Sequence, residues 1–400
     1  MIAVREADRL LETFRLPFPS ESVGLGQAAG RILREPIRAD RAYPVLDKAR
    51  MDGVAIAYQA WQDGLREFPV LGMARAGDPR QALPLAAGCM EVMTGAPCPL
   101  GCDTVIPYED FEWVDSRAKI LEGKTIRPAQ FVHARGSDCV ENQVLVGPGR
   151  RLQAPAIAAA ASVGMTRIQV TRRPRIEVVA TGDELVDVAD DPALHQIRLS
   201  NSHGLQAMLE AEADLRIDWV GDARSGLAVL LARRLEETDV LLVTGGVSAG
   251  KFDFVPEVLS DLGVTLVFHR VAQRPGKPLW FGCGPGGQLV FGLPGNPVSA
   301  LVCARRFLVP LLQAKSGLHP LHTVGEARLA TEVRGWEAGT QFLPVRIVRE
   351  EGGGYQAIPK PTNGSGDFAG LGESDGFVEV RPGSASLLAG QSVPYFSWGA

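Results

Sequence analysis

The sequence predicts a multidomain α/β protein: a central doubly wound, mostly parallel sheet with a helical segment, an inserted β-rich module and a small C-terminal β-barrel. Three observations carry that expectation. The chain has 400 residues, 46% hydrophobic and 22% charged, more than one hydrophobic core sustains, so two to four domains are expected. After the polar joint Arg172-Arg173-Pro174, strand-like and helix-like runs alternate, which is the pattern of βαβ units. Between Thr238 and Arg306, three Gly- or Pro-rich turns each follow a strand-like run. Turns at the carboxyl ends of parallel strands are where open α/β sheets hold anionic ligands.

Residues 1 to 40 read as helical. Val4, Ala7, Leu10, Leu11 and Phe14 recur at helical spacing, and a second helical pattern covers Leu25 to Leu33. From Tyr43 the texture changes to short strands punctuated by Gly and Pro: Val54–Tyr58, Val70–Met73, Glu91–Thr94, Thr104–Pro107 and Lys119–Ile126. Helical texture resumes around Val144–Gly149 and runs through Ala154–Val163. The expected division is therefore a discontinuous helical segment (1–41 and 144–172), an inserted module (42–143), a central α/β domain (173–317) and a C-terminal region (318–400).

In the central domain the expected strands are Ile176–Thr181, Leu215–Val220, Val240–Thr244, Thr265–Val271 and Leu289–Phe291. The expected helices are Ser202–Glu212, Ser225–Glu236, Pro256–Leu262 and Pro297–Leu312. Beyond Val324 long helical periodicity is absent. Strand runs at Phe342–Val348, Tyr355–Ile358, Phe377–Val380 and Val393–Phe396 predict a small β-barrel or sandwich.

The net charge of −5 argues against a nucleic-acid binder, which should be basic overall or on one face. The charged N-terminus, Met1-Ile-Ala-Val-Arg-Glu-Ala-Asp-Arg, does not suit a signal peptide, and no apolar stretch reaches the roughly 18 residues of a membrane span. A cytoplasmic protein is expected. The six cysteines include no C-x-x-C pair, and Cys98-x-x-x-Cys102 has no second pair to complete four metal ligands. Reduced structural thiols are expected.

The chemistry concentrates in the turns. Thr244-Gly245-Gly246-Val247-Ser248 follows a strand, and paired glycines let backbone N–H groups approach a phosphate with no Cβ in the way. Asp253 comes close behind, and a carboxylate beside a phosphate cradle is a usual holder of Mg²⁺. Thr181-Gly182-Asp183-Glu184-Leu185 places two acids at the end of another strand, and Asp222 follows a third. On one sheet edge these make a Mg²⁺–nucleotide site. Asn296-Pro297 is a helix N-cap followed by proline at the first helical position, with Ser299 in the first turn, where anions bind. Arg274 and Lys277, in a rigid Pro-Gly-Lys-Pro loop, add positive charge. The histidines show no ligand spacing, and no Ser-His-Asp triad suggests itself.

Taken in series, six motifs resemble those of the molybdopterin molybdenumtransferases, the MoeA family, which includes the E domain of gephyrin. They are Met51-Asp52-Gly53-Val54-Ala55, Met93-Thr94-Gly95-Ala96-Pro97, Thr181-Gly182-Asp183-Glu184-Leu185, Thr244-Gly245-Gly246-Val247-Ser248, Pro275-Gly276-Lys277-Pro278 and Gly292-Leu293-Pro294-Gly295-Asn296-Pro297-Val298-Ser299. Each is weak alone, but together they cover nearly the whole chain in the family's order. The resemblance implies a homodimer with its active cleft shared between protomers, and a molybdopterin adenylyltransferase as upstream partner. It implies cleavage of adenylylated molybdopterin, departure of AMP, and the joining of molybdate's metal to the dithiolene.

Carried over position by position, the resemblance puts Mg²⁺ near Glu184 and Asp253. It gives catalytic roles to Asp52, Asp183, Asp253 and Lys277. Substrate and nucleotide contacts fall to Thr94, Asp138, Asp222, Gly245, Gly246, Ser248, Arg274, Pro294, Pro297 and Ser299. No nucleic acid or membrane enters the reaction.

The chain also departs from the family's pattern. Ala49-Arg50 stands where Asn-Ser is usual, Val54 where Tyr is, and Arg274 where Lys is. Phe342-Leu343-Pro344 replaces Phe-x-Arg, and Gly364-Ser365-Gly366-Asp367-Phe368 lacks a Ser-Ser pair. Two alternatives follow: an adenylyl-transfer enzyme without metal insertion, and a non-catalytic pterin-binding scaffold.

Overall fold

The structure is a computed structural model that describes residues 1–247, 253–319, 325–350, 353–360, 362–383 and 386–399. Ser248 lies outside the described residues. Two compact units form: Met1–Arg34 with Pro148–Gln153 and Ile168–Ala400, and Glu35–Gly147 with Ala154–Arg167.

The larger unit is built on six strands: β1 (Arg175–Thr181), β2 (Asp214–Val220), β3 (Val240–Thr244), β4 (Thr265–His269), β5 (Trp280–Cys283) and β6 (Leu289–Leu293). Their order is β2-β1-β3-β6-β5-β4. The first four run parallel, and β5 is antiparallel to both of its neighbours, β6 and β4. In β3, Val240 to Val243 are all fully buried, as expected of a parallel strand covered on both faces. Side chains alternate between two cores. Val240 and Leu242 pack with Leu205, Leu209 and Phe307, whereas Leu241 and Val243 pack with Leu227, Leu231 and Leu259. Helices Ser200–Leu209 and Pro297–Cys303 cover one face, Arg224–Glu237 and Val255–Asp261 the other. The doubly wound expectation is met.

Pro297–Lys315 continues through a π-helical turn, Ala304–Leu308, as one helix of mean hydropathy 1.2. It is a core helix, with 72% of its apolar window buried in the fold.

Glu177 is an exception to the apolar filling of β1. It is 1% exposed, lies 3.6 Å from Arg234 Nε, and shares a hydrogen bond with Asp218. Burial pushes its carboxyl above the usual range, and Arg234 only partly offsets this. A raised folded value favours the protonated form, so stability is lost as pH rises from the carboxylate range toward neutrality. The uncharged amide of a glutamine at this position would still donate to Asp218. Glu177→Gln should therefore raise Tm at pH 8 by about 2–4 °C, with the gain shrinking toward pH 5. Equal Tm differences at both pH values, by calorimetry, would contradict this.

The C-terminal region is a closed barrel. Thr340–Arg349 pairs with both Tyr355–Pro359 and Gly376–Val380, and Gly325–Leu329 and Ser392–Ser397 complete the ring. Its interior is small and β-branched, with Ala327, Val345, Ala357, Val378 and Val393 buried together. A two-residue strand from the α/β region, Gln273–Arg274, joins Thr340–Arg349 in parallel.

The smaller unit holds a six-stranded sheet ordered Thr104–Pro107, Gly53–Ile56, Cys89–Val92, Glu67–Ala74, Arg117–Ile120 and Phe111–Val114. All six cysteines of the chain are free thiols. Burial pushes the Cys98 thiol up to about 11 and that of Cys303 up to about 12, the inert behaviour expected of packing residues.

The helical reading of the first 41 residues and of 144–172 needs correction. Val4–Glu12 and Ala154–Ser162 are helices. Leu25–Leu33 is not, because Gly24, Gly26 and Gly30 interrupt it: only Leu25–Gln27 makes a short 3₁₀ turn, and Ser20–Gly24 is a strand. Val144–Val146 and Arg167–Thr171 are also strands, the former paired with Ile37–Arg38. Their β-branched residues outweighed an apparent helical spacing. Strand β5 was unforeseen because Gly282 interrupts its short apolar run.

Candidate functional site

The sheet register sets the site. Ala180 pairs with Thr244, Thr244 with Leu293, and Thr181 with Val220, so four parallel strands end nearly level. The turns that follow share one edge and border a cavity of about 640 Å³. Glu184, Asp222, Gly245, Gly246, Asp253, Pro294, Pro297 and Ser299 line it, as do Arg274 and Lys277 from the Pro-Gly-Lys-Pro loop. One edge thus gathers most of the residues singled out in the α/β region.

Backbone conformation explains the glycines. Gly245 (φ 97°) and Gly246 (φ 63°) lie in the left-handed region, and a Cβ on Gly245 would sit 2.5 Å from the Thr181 carbonyl oxygen. Gly276 (φ 91°) closes over the Cys303 thiol, 2.4 Å from where its Cβ would be. The loop bearing Lys277 is seated on the long helix by that approach.

Charge is divided across the cavity. Burial first, then the charges of Asp183, Glu184 and Asp253, push the Asp222 carboxyl above its ordinary value; a backbone hydrogen bond at Asp183 offsets part of this. Asp183 itself holds the neighbouring turn, its Oδ1 accepting from the Asp222 N–H at 3.0 Å. The Arg274 guanidinium donates to Gln341 Oε1 at 2.7 Å and lies 5.1 Å from the Trp336 ring centroid. The Lys277 ammonium is exposed, and among the described residues it has no hydrogen-bond or ion-pair partner. Ser299, 3% exposed, sits in the first turn of Pro297–Cys303. Among the described residues no group of three or more His, Cys, Asp or Glu is arranged to hold a metal by itself.

Asp52, Thr94 and Asp138 belong to the smaller unit. Asp52 Oδ1 accepts from the Thr94 N–H at 2.6 Å and from its hydroxyl at 2.7 Å, and the two donors hold the carboxyl below its usual range. A Cβ on Gly53 would fall 2.0 Å from the Ile106 carbonyl oxygen, so glycine is required beside Asp52. Asp138 Oδ1 is 2.8 Å from His133 Nε2, a pair separate from Asp52–Thr94.

Three contributors were missed from sequence. Asn201 bridges two of the turns, Trp336 packs on Arg274, and Ser365 accepts at its Oγ from Asn296 Nδ2 at 2.7 Å. A signal existed for the first. Ser200-Asn201-Ser202 opens a helix with no side-chain cap, so polar side chains at the helix start are free for other work. Asp367, in the stretch that lacks the Ser-Ser pair, caps its own short helix by accepting from the Gly370 N–H at 3.0 Å.

Comparison with known proteins covers the whole chain. Residues 2–164 match the MoeA N-terminal region (domain I and II), 177–314 a probable molybdopterin binding domain, and 326–398 the MoeA C-terminal region (domain IV). The chain is 38% identical over 401 residues to a molybdopterin molybdenumtransferase of Synechocystis sp., covering 100% of both. It is 28% identical to that of Bacillus subtilis, covering 98% of this chain and 93% of the relative. A crystal structure of the molybdopterin biosynthesis MoeA protein from Pyrococcus horikosii superposes with a TM-score of 0.85 at 28% identity, covering 100% of both chains.

Proposed function

The chain belongs to the MoeA family of molybdopterin molybdenumtransferases, and on that premise we propose how its residues share the reaction. The activity is molybdenum insertion in molybdenum cofactor biosynthesis, with molybdopterin and molybdate as substrates. The observation that supports the finer reading is the single cavity on which glycine turns, carboxylates and cations converge. The Gly245-Gly246 turn takes the phosphates of adenylylated molybdopterin through backbone N–H groups. Lys277 and Arg274 face the oxyanion and the pterin phosphate, where positive charge offsets a doubly charged ligand. Ser299, at a helix start flanked by Pro294 and Pro297, adds a hydroxyl and the helix's N-terminal field.

Mg²⁺ fits the donor set. All candidate ligands are carboxylate oxygens, and Mg²⁺ is commonly held by one or two carboxylates together with substrate phosphates, which agrees with the lack of a self-sufficient cluster among the described residues. Glu184 and Asp253 are the residues that would hold it. When bound it supplies charge neutralisation on the phosphates during phosphoanhydride cleavage. Asp222 and Asp183 shape the acidic rim. Asp52, paired with Thr94, and Asp138 serve the reaction from the smaller unit of a homodimer whose cleft is shared between protomers.

The four-region division, with 42–143 as an inserted module, is part of this reading. So are a cytoplasmic location and an upstream molybdopterin adenylyltransferase. The net charge of −5 is in keeping with partners other than nucleic acid.

The test is AMP release from adenylylated molybdopterin with Mg²⁺, with and without molybdate. Molybdate-dependent release is expected. Release indifferent to molybdate would point to cleavage uncoupled from insertion, and ATP-driven adenylylation would favour the adenylyl-transfer alternative.

A further inference from the structure

The ends of β3 and β6 are lashed together by side chains as well as by the sheet. Asn201 Nδ2 donates to Thr244 Oγ1 at 3.1 Å and to the Gly295 carbonyl at 2.7 Å. The Thr244 hydroxyl donates in turn to the Pro294 carbonyl at 3.3 Å, and the Gly245 N–H donates to the Leu293 carbonyl at 3.1 Å. Thr244 is 3% exposed and Asn201 is half-buried, while Gly295 is exposed, so this network forms part of the cavity wall itself.

The amide has no freedom to turn over. A carbonyl oxygen only accepts, so Gly295 requires the nitrogen, and both amide hydrogens are then committed. The consequence falls on Asn201 Oδ1, which is buried without a hydrogen-bond partner. An unpaired buried acceptor lowers stability. A side chain that served stability alone would be better apolar at that point.

We propose that Asn201 is a positioning residue: with Thr244 it fixes the separation of the Gly245-Gly246 turn and the Pro294–Pro297 turn. This rests on the cavity reading above, in which the first turn holds the adenylyl phosphates and the second borders the pterin and oxyanion end. One substrate spans both. Its reacting bond is aligned only when the two turns keep their spacing, whereas a fragment that touches one turn is indifferent to it.

The test uses Asn201→Ala, Thr244→Val and the double variant in the full chain, with kcat and KM for AMP release, AMP affinity and Tm measured together. Each single variant should lose about 30- to 100-fold in kcat while KM and the AMP Kd move by less than about threefold. The double variant should be no worse than either single, because both break one network. Asn201→Ala should keep Tm, since the orphaned acceptor is gone and the exposed Gly295 carbonyl is left to water. An unchanged kcat, or a fall in Tm that accounts for the lost activity, would overturn the proposal.

If the wild-type protein releases no AMP, the cavity reading fails, and amide exchange decides the clamp by itself. Exchange at the Gly245 N–H should accelerate in Asn201→Ala; unaltered exchange would overturn the clamp.

Discussion

Asp253→Asn is expected to lower AMP release by about 100-fold or more, because it removes a charge that several kcal/mol of phosphate neutralisation depends on. The electrostatics behind this are already visible without a ligand. Asp222 is pushed upward in part by Asp183, Glu184 and Asp253, so this rim is acidic, and on the proposed reading a cation is needed before it accepts an anionic nucleotide. Asn is nearly isosteric with Asp, and the fold should persist. The direct readout is AMP binding by calorimetry across a Mg²⁺ titration. The wild-type protein should bind AMP only with Mg²⁺, and the variant should need about tenfold more. Equal Mg²⁺ dependence in the two proteins would remove Asp253 from the cation's shell and leave Glu184 as the candidate.

Gly245→Ala should damage both stability and turnover. Its φ of 97° is one that L side chains rarely adopt, and the added methyl would lie 2.5 Å from the Thr181 carbonyl oxygen, where backbone on a central strand must give way. Strain and overlap together should cost about 3 kcal/mol by denaturant titration. Activity in the folded fraction should fall about 100-fold as the amides proposed to hold the phosphates move. Gly287→Ala is the control, since Gly287 has φ 84° but nothing within 4 Å of its Cβ position. It should show the conformational strain alone, about 1 kcal/mol, with normal turnover. If the two variants lose equal stability, the close approach at Gly245 contributes nothing.

The contrast between what could and could not be read from sequence has a physical basis. The β1, β3 and β6 runs were legible because a strand buried on both faces must be apolar at nearly every position, and Val240 to Val243 leave no other reading. The turns were legible because Gly245 and Gly276 satisfy backbone requirements that no other residue meets. The N-terminal region misled because its apolar residues support a helix only if the glycines between them are ignored, and Ser20–Gly24 and Val144–Val146 instead found strand partners far away in sequence. Asn201 was invisible for a related reason. Its role depends on which two strand ends stand beside it, and that is set by sheet order rather than by any neighbour in the chain. Gln341 likewise reaches Arg274 only because the barrel docks a strand beside the Gln273–Arg274 pair.

That short strand has a consequence for how the protein can be taken apart. The cationic loop is encoded in the α/β region, yet one of its edges is completed by Thr340 and Gln341 of the barrel. An exchange of barrels between relatives would therefore transplant half of the loop's support along with the domain. On the role proposed for the loop, chimeras joined after the long helix should inherit their oxyanion preference from both parents at once.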